Sequence, residues 1–500
     1  MKAADVPWSA SREQRRFIAN FGDKVLNGEA ALFIGAGVSR SAGFVDWRAL
    51  LSDVAAELDL DIGKEHDLLA LAQYHVNGHG ARGELNQQLI DAFTRDAEAT
   101  GLHDILARMP IDTVWTTNYD QLLERAYAAA GRLVEVKLSI QNLAQARKGR
   151  DVTIYKMHGC VTQAHEAVLT KQDYEVYDLN RRLFTDSLKG DFIERSLLFL
   201  GFSFADPNVE RILAKVREQL GHNQRTHYWI TRRPPQTCPD GIRSAEELEY
   251  ERRKAALQSE DLKRYGIQTI WVDEYRDVPR LLLALESYVT RKKVFVSGAA
   301  HDPSPLDSTQ LTELSRALGA ELIRRGFDLV SGFGVGIAEQ TIIGAFRAIY
   351  ESVKPQPADR VLIRPFPGNA PVGRRPEIFR RHRVELISRV GALVVVAGNK
   401  ADANGSCIPS SGVEEEVQIA LDLGKPIIPI GLTGYVAKAT WDAACQASDR
   451  YLPGIDCHAE LMVLGNPDSS VEAVVVAVVT LLGKAERIAS ARCRDGATPT

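Results

Sequence analysis

The stretch Ala31-Leu32-Phe33-Ile34-Gly35-Ala36-Gly37-Val38-Ser39-Arg40 decides how this chain is read. A short apolar run ending in Gly-Ala-Gly describes a buried parallel strand that turns sharply into a helix. Backbone N–H groups there approach a pyrophosphate at the helix N-terminus. Alone, such a turn is a weak signal. The dinucleotide fingerprint of hydride-transferring enzymes needs a further glycine at fixed spacing, and Ser39 and Arg40 stand where it would continue, which disfavours that chemistry. The turn gains weight from its company. Thr116-Thr117-Asn118-Tyr119-Asp120, Met157-His158-Gly159 and Gly201-Phe202-Ser203 follow in that order.

Composition bounds the rest. With 500 residues, 45% hydrophobic and 25% charged, the chain reads as a soluble globular protein of two or three domains, large enough to bury substantial cores. A formal net charge of −4 without a sustained basic run argues against a nucleic-acid partner. No window reaches the roughly 18 uninterrupted apolar residues of a membrane span, and the polar N-terminus lacks a signal-peptide core. The expected location is the cytoplasm, with no membrane partner. The six cysteines, at 160, 238, 407, 445, 457 and 493, include no Cys-x-x-Cys pair, so no metal is expected.

Apolar runs alternate with helical patterns along the whole chain, which predicts an α/β protein of two Rossmann-like doubly wound domains. The first takes strands at residues 31–35, 113–116, 152–157, 197–201, 226–231 and 268–272, with helices at 118–129, 207–220 and 245–265. A lead-in helix spans 8–27. The charged junction Thr290-Arg291-Lys292-Lys293 precedes a second series, with strands at 294–298, 328–331, 360–363, 392–396 and 426–429. The boundary is therefore set between domains 1–290 and 291–500, with a frayed tail at 493–500.

The ordered motifs of the first domain resemble the sirtuin superfamily, whose members carry Gly-Ala-Gly-x-Ser, an Asn-x-Asp element, a catalytic His-Gly and a Gly-x-Ser at strand ends. The resemblance implies NAD+ as substrate, bound around Gly35, Ala36, Gly37, Ser39, Asp46, Asp120, Gly201 and Ser203, with His158 and Asn118 catalytic. Cleavage of a nicotinamide–ribose bond passes through an oxocarbenium-like state, so hydrolysis needs a positioned water and a base. His158, at the end of an apolar strand with an ordinary pKa near ~6.5, suits the base. Asn118 offers donor and acceptor without charge and could hold the ribose or the water; it could equally cap a helix starting at Tyr119. Asp120 is read as a ribose support or a cap. Asp206 and Asn208 are as suited to capping the helix behind Pro207 as to touching a ligand. The cysteine-poor stretch after Gly159 is too short for the zinc module of sirtuin deacylases.

In the second domain, Ser297-Gly298 ends one strand and Ser331-Gly332-Phe333-Gly334 another. Lys400 follows a strand in a glycine loop, and Ser411-Gly412-Val413-Glu414-Glu415-Glu416 opens a helix. These features resemble the SLOG superfamily of nucleotide-binding domains. The implied ligand contacts are Ser297, Gly298, Gly332, Gly334, Lys400, Gly412 and Glu415. Arg381 and Arg383 supply guanidinium forks for phosphate, while Arg380 is read as part of a solvated helix face.

A sirtuin-like domain followed by a SLOG domain is similar to the effectors of Thoeris anti-phage systems. That resemblance implies an NAD+ glycohydrolase switched on by a cyclic ADP-ribose isomer from a partner TIR-domain protein, and assembly as a homotetramer or larger array. Two alternatives use the same cleft: a protein deacylase or ADP-ribosyltransferase, against which the missing zinc module argues, and a non-catalytic NAD-sensing scaffold, against which His158 and Asn118 together argue.

Overall fold

The computed structural model describes all residues except 1–8, 45–46, 95–96, 205, 222, 238–243, 354–356, 369, 403 and 492–500. The chain divides into two compact units, residues 1–286 and 287–500.

The N-terminal unit is built on seven parallel strands: β1 (Ala30–Ile34), β2 (Thr113–Thr116), β3 (Val134–Lys137), β4 (Val152–Lys156), β5 (Ser196–Leu200), β6 (His227–Arg232) and β7 (Ile267–Val272), in the order β3-β4-β2-β1-β5-β6-β7. The first strand sits centrally because it is apolar throughout: all five of its residues are buried, as a strand covered on both faces requires. Its neighbours lie on opposite sides, β2 on one and β5 on the other, which opens a crevice beyond its C-terminal end. Edge strand β3 was not foreseen, since Val134, Glu135 and Val136 are only half-buried and carry no apolar run. Among the described residues, six helices, Ala36–Arg40, Trp47–Leu50, Ser52–Glu57, Leu68–His79, Gly83–Phe93 and Gly101–Arg108, lie between β1 and β2. The four from Trp47–Leu50 to Gly83–Phe93 share an apolar cluster with Tyr119 and Leu169. Helix Pro207–Leu220 starts where expected, with Pro207 in its first turn and Asp206 as its cap. The lead-in helix is described over Arg12–Leu26, closed by a Ser11–Gln14 capping box.

The C-terminal unit has a five-stranded parallel sheet of β8 (Lys293–Ala299), β9 (Asp328–Ser331), β10 (Val361–Ile363), β11 (Ala392–Ala397) and β14 (Ile427–Ile430), in the order β10-β9-β8-β11-β14. Between β11 and β14 lies an antiparallel hairpin of β12 (Asn399–Ala401) and β13 (Cys407–Pro409), so Lys400 sits on a hairpin strand opposite Ile408 rather than in an open glycine loop. Among the described residues, no helix is long and apolar enough to cross a membrane.

Candidate active site

The ends of β1, β2, β4 and β5 meet at one cleft of about 450 Å³, lined among others by Ala36, Ser39, Asn118, Asp120, His158, Gly201, Ser203 and Asp206. Its outer wall comes from Trp47, Leu50, the segment His66–Leu69, and Phe93. Asp46 lies outside the described residues.

The three glycines of the β1 and β5 turns permit contact between backbones. Gly201 has φ +62°, and a Cβ there would stand 2.5 Å from the Val38 nitrogen. A Cβ on Gly35 would meet the Gly201 oxygen at 2.4 Å. The Gly37 N–H is spent on the Gly201 carbonyl, at 2.9 Å. Gly35 and Gly37 thus lock two strand ends together, which is a different use from the pyrophosphate approach read from the sequence.

Asn118 does not cap a helix. The following helix begins at Leu122, whose N–H donates to Asp120 Oδ1 at 2.9 Å. The Asn118 amide is instead oriented by its neighbours. Ser39 Oγ donates to Asp120 Oδ2 at 2.6 Å, so it accepts from Asn118, whose Nδ2 lies 2.9 Å away. The Gly35 carbonyl, also an acceptor, lies 3.1 Å from the same Nδ2. Both partners require the amino group on this side, which places Oδ1 on the other. That oxygen is buried without a hydrogen-bond partner in the protein. A buried unpaired acceptor beside a cleft is a costly feature that a bound hydroxyl or water would satisfy.

His158 follows β4 on a turn made possible by Gly159 at φ +87°. Its Nε2 lies 3.1 Å from Asp206 Oδ2, both groups nearly buried. Asp206 also receives the Tyr174 hydroxyl at 3.1 Å on Oδ2, and the N–H groups of Asn208 and Val209 on Oδ1 at 2.9 and 3.0 Å. One carboxylate thus caps the helix through Oδ1 and holds His158 through Oδ2. Burial pushes its carboxyl up, but the attraction and hydrogen bond of His158, the Val209 N–H and the Tyr174 hydroxyl outweigh it and hold the group below the usual range. A carboxylate only accepts, so Nε2 carries the proton and Nδ1 is the basic nitrogen of the neutral ring. Tyr119, Tyr174 and Tyr177, whose phenols burial pushes up, brace this corner. Tyr177 donates to the Met157 carbonyl at 3.1 Å, and Tyr119 to that of Val168 at 2.7 Å. Beneath them the buried Lys156 pairs with Glu124 at 2.9 Å and donates to the Asp120 carbonyl, tying β4 to the Asn118 loop.

A second cavity, of about 590 Å³, lies in the C-terminal unit between helices Arg375–Ser388 and Ser411–Asp422. Arg380, Arg383, Gly412 and Glu415 line it. Glu415 holds Arg383 at 2.6 Å and Arg380 at 3.2 Å, and Arg383 lies over the Phe366 ring at 4.9 Å. Arg381 is exposed and not part of the lining, so the helical phase presents Arg380 rather than Arg381 to the cavity. Lys400 donates to Ser411 Oγ at 2.7 Å, beside Gly412. Ser297 donates to the neighbouring Glu416, whose carboxyl burial pushes up to about 7 despite that bond and the nearby Arg383. Gly298 and Gly334 are spacers: a Cβ on Gly334 would lie 2.1 Å from the Gly298 oxygen, and one on Gly298 2.6 Å from the Val396 oxygen. Gly332 packs against the Phe366 ring, 3.1 Å from where its Cβ would be.

The two units fall into one class, a sirtuin-like domain joined to a SLOG domain. Residues 112–265 match the SIR2-like domain family, and residues 277–485 the Sir2- and TIR-associating SLOG family. The chain is 36% identical to the NAD(+) hydrolase ThsA of Bacillus cereus (strain MSX-D12) across 93% of this chain and 96% of the relative. Against the ThsA of Enterococcus faecium it is 37% identical, across 86% and 90%. It shares 29% identity with Defense-associated sirtuin 2 of Bacillus subtilis, over 38% of this chain and 20% of that protein. The chain belongs to the ThsA family of NAD(+) hydrolases.

Proposed function

We propose that the N-terminal unit hydrolyses NAD+ to ADP-ribose and nicotinamide in a bacterial defence against phage. The observation that carries this reading is the pairing, in one cleft, of an aspartate-held histidine with the unpartnered Oδ1 of Asn118. The names of the relatives support the substrate. As the glycosidic bond breaks, its electron pair leaves with nicotinamide, which departs neutral and needs no acid. Water attacks the cationic ribose carbon, and His158 takes its proton. The Asp206 carboxylate stabilises the imidazolium so formed, and Asn118 Oδ1 accepts from the water or a ribose hydroxyl.

The C-terminal cavity is read as the sensor for a cyclic ADP-ribose isomer, produced by a separate TIR-domain protein. Arg380, Arg383 and Lys400 would meet its phosphates, and Glu415 a ribose hydroxyl or the adenine amine. The signal switches the enzyme on only if it binds the active arrangement more tightly than the resting one. A homo-oligomer acting in the cytoplasm completes the proposal. Incubating the purified protein with NAD+, with and without cyclic ADP-ribose isomers, and following nicotinamide tests it. Release without any acyl-lysine substrate, stimulated by an isomer, is expected. An absolute need for an acylated peptide, or no release under any condition, overturns it.

A further inference from the structure

Away from both cavities, Glu57, His75, His79 and Glu84 gather from three helices, Ser52–Glu57, Leu68–His79 and Gly83–Phe93, with one potential ligand atom of each within 4.8 Å of every other. His75 and His79 share a face because they are four residues apart on one helix. Their rings lie 4.2 Å apart, centre to centre. His75 Nε2 lies 2.7 Å from Glu57 Oε2 and 4.0 Å from Glu84 Oε2, while His79 Nε2 lies 3.2 Å from that same Glu84 oxygen.

The orientation of the His79 ring brings lone pairs face to face. His79 Nδ1 lies 2.9 Å from the His75 backbone carbonyl, which only accepts, so Nδ1 carries the hydrogen. In the neutral ring Nε2 then presents a lone pair to a carboxylate oxygen that also presents one. A divalent cation satisfies all four lone pairs at once and offsets the two carboxylate charges. The His79 Nδ1 bond to a backbone carbonyl is the outer contact that orients a ligating imidazole.

We propose that Glu57, His75, His79 and Glu84 form a binding site for a divalent cation of the zinc class. Two nitrogens and two carboxylate oxygens suit tetrahedral Zn²⁺, whose ligand bonds of about 2.0–2.2 Å are reached by small rotations of the partly exposed Glu57 and Glu84. The ion pins the C-terminal half of helix Leu68–His79 to its neighbours. Asp67, Leu68 and Leu69 at the other end of that helix line the active-site cleft, so the cation steadies the cleft wall. Cysteine spacing says nothing about such a site, which is why the sequence led to the expectation of no metal.

The test uses the full chain stripped with a chelator, reloaded with Zn²⁺ and desalted, with bound zinc counted by mass spectrometry and Tm measured by scanning calorimetry. One zinc per chain and a raised Tm are expected, and reloading with Co²⁺ should give the strong visible bands of a tetrahedral ion. His79→Gln and Glu84→Gln, both at partly exposed positions, should each weaken zinc at least tenfold and abolish its effect on Tm. The readout is independent of NAD+ turnover, so it stands or falls apart from the proposed activity. Failure of the stripped chain to take up zinc, or equal uptake by the His79→Gln/Glu84→Gln double variant, overturns the site.

Discussion

His158 Nε2 and Asp206 Oδ2 lie 3.1 Å apart, and the other oxygen of the same carboxylate caps helix Pro207–Leu220. One side chain thus fixes a helix start and the tautomer of the proposed base. Asp206→Asn keeps an oxygen for the cap but removes the charge. Nicotinamide release should fall by roughly 10²-fold. An undiminished rate would separate the two residues. The Asp206 pKa is held below the free value of 3.8, so its stabilising contribution is complete above about pH 4 and fades as pH falls through the folded value. The Tm gap between wild type and variant should therefore close in acid.

His158→Ala should lower turnover by ~10²–10⁴-fold with NAD+ binding retained, as loss of a general base does. Single-turnover measurement with the enzyme in excess over NAD+, at increasing enzyme concentration, separates this from weakened binding. Near-wild-type hydrolysis would remove His158 from the mechanism.

Asn118→Ala should cost both activity and about 1–3 kcal/mol of stability, because Gly35 O and Ser39 Oγ lose their shared donor. Asn118→Asp is expected to be worse than alanine, since it sets a carboxylate oxygen against the Gly35 carbonyl and a second charge near Asp120. Chemical denaturation beside activity assays gives both numbers.

Arg380→Ala should raise the activator concentration needed for half-maximal turnover by tenfold or more, the scale of a charge-assisted contact, and Lys400→Ala should do the same. Arg381→Ala, outside the cavity, should shift it little. Equal effects of Arg380 and Arg381 would place the ligand elsewhere.

Glu416 has its pKa raised by burial to about 7, above the free value of 4.5, with Ser297, Arg383 and Glu415 as its neighbours. An acid raised on folding weakens the folded state as pH rises between these values, because the native form then binds more protons than the unfolded one. Glu416→Gln should remove that slope, gaining more in Tm over wild type at pH 8 than at pH 5. A constant difference across that range contradicts the burial argument.

Much of this protein was legible locally. The five strands of the second sheet and six of the seven in the first announce themselves as apolar runs, because a strand buried on both faces needs no partner's sequence to be recognised. Gly35, Asn118, His158 and Gly201 follow such runs, so their place at the C-terminal edge of a parallel sheet could be read from order alone. Tertiary structure decided the rest. Asp206 lies 48 positions beyond His158, and only the crossing from β4 to β5 brings the two together. Which way the Asn118 amide points depends on Ser39 and Gly35, 79 and 83 positions away. Among Glu414, Glu415 and Glu416, alike in sequence, the phase of one helix leaves the first exposed, turns the second to the cavity and buries the third. The cluster of Glu57, His75, His79 and Glu84 has the same origin: only the His75–His79 spacing is local, and packing of three helices supplies the carboxylates. Hydrophobic periodicity is a property of neighbours along the chain. Hydrogen bonds and ion pairs between distant residues exist only once the fold has brought them to within about 3 Å.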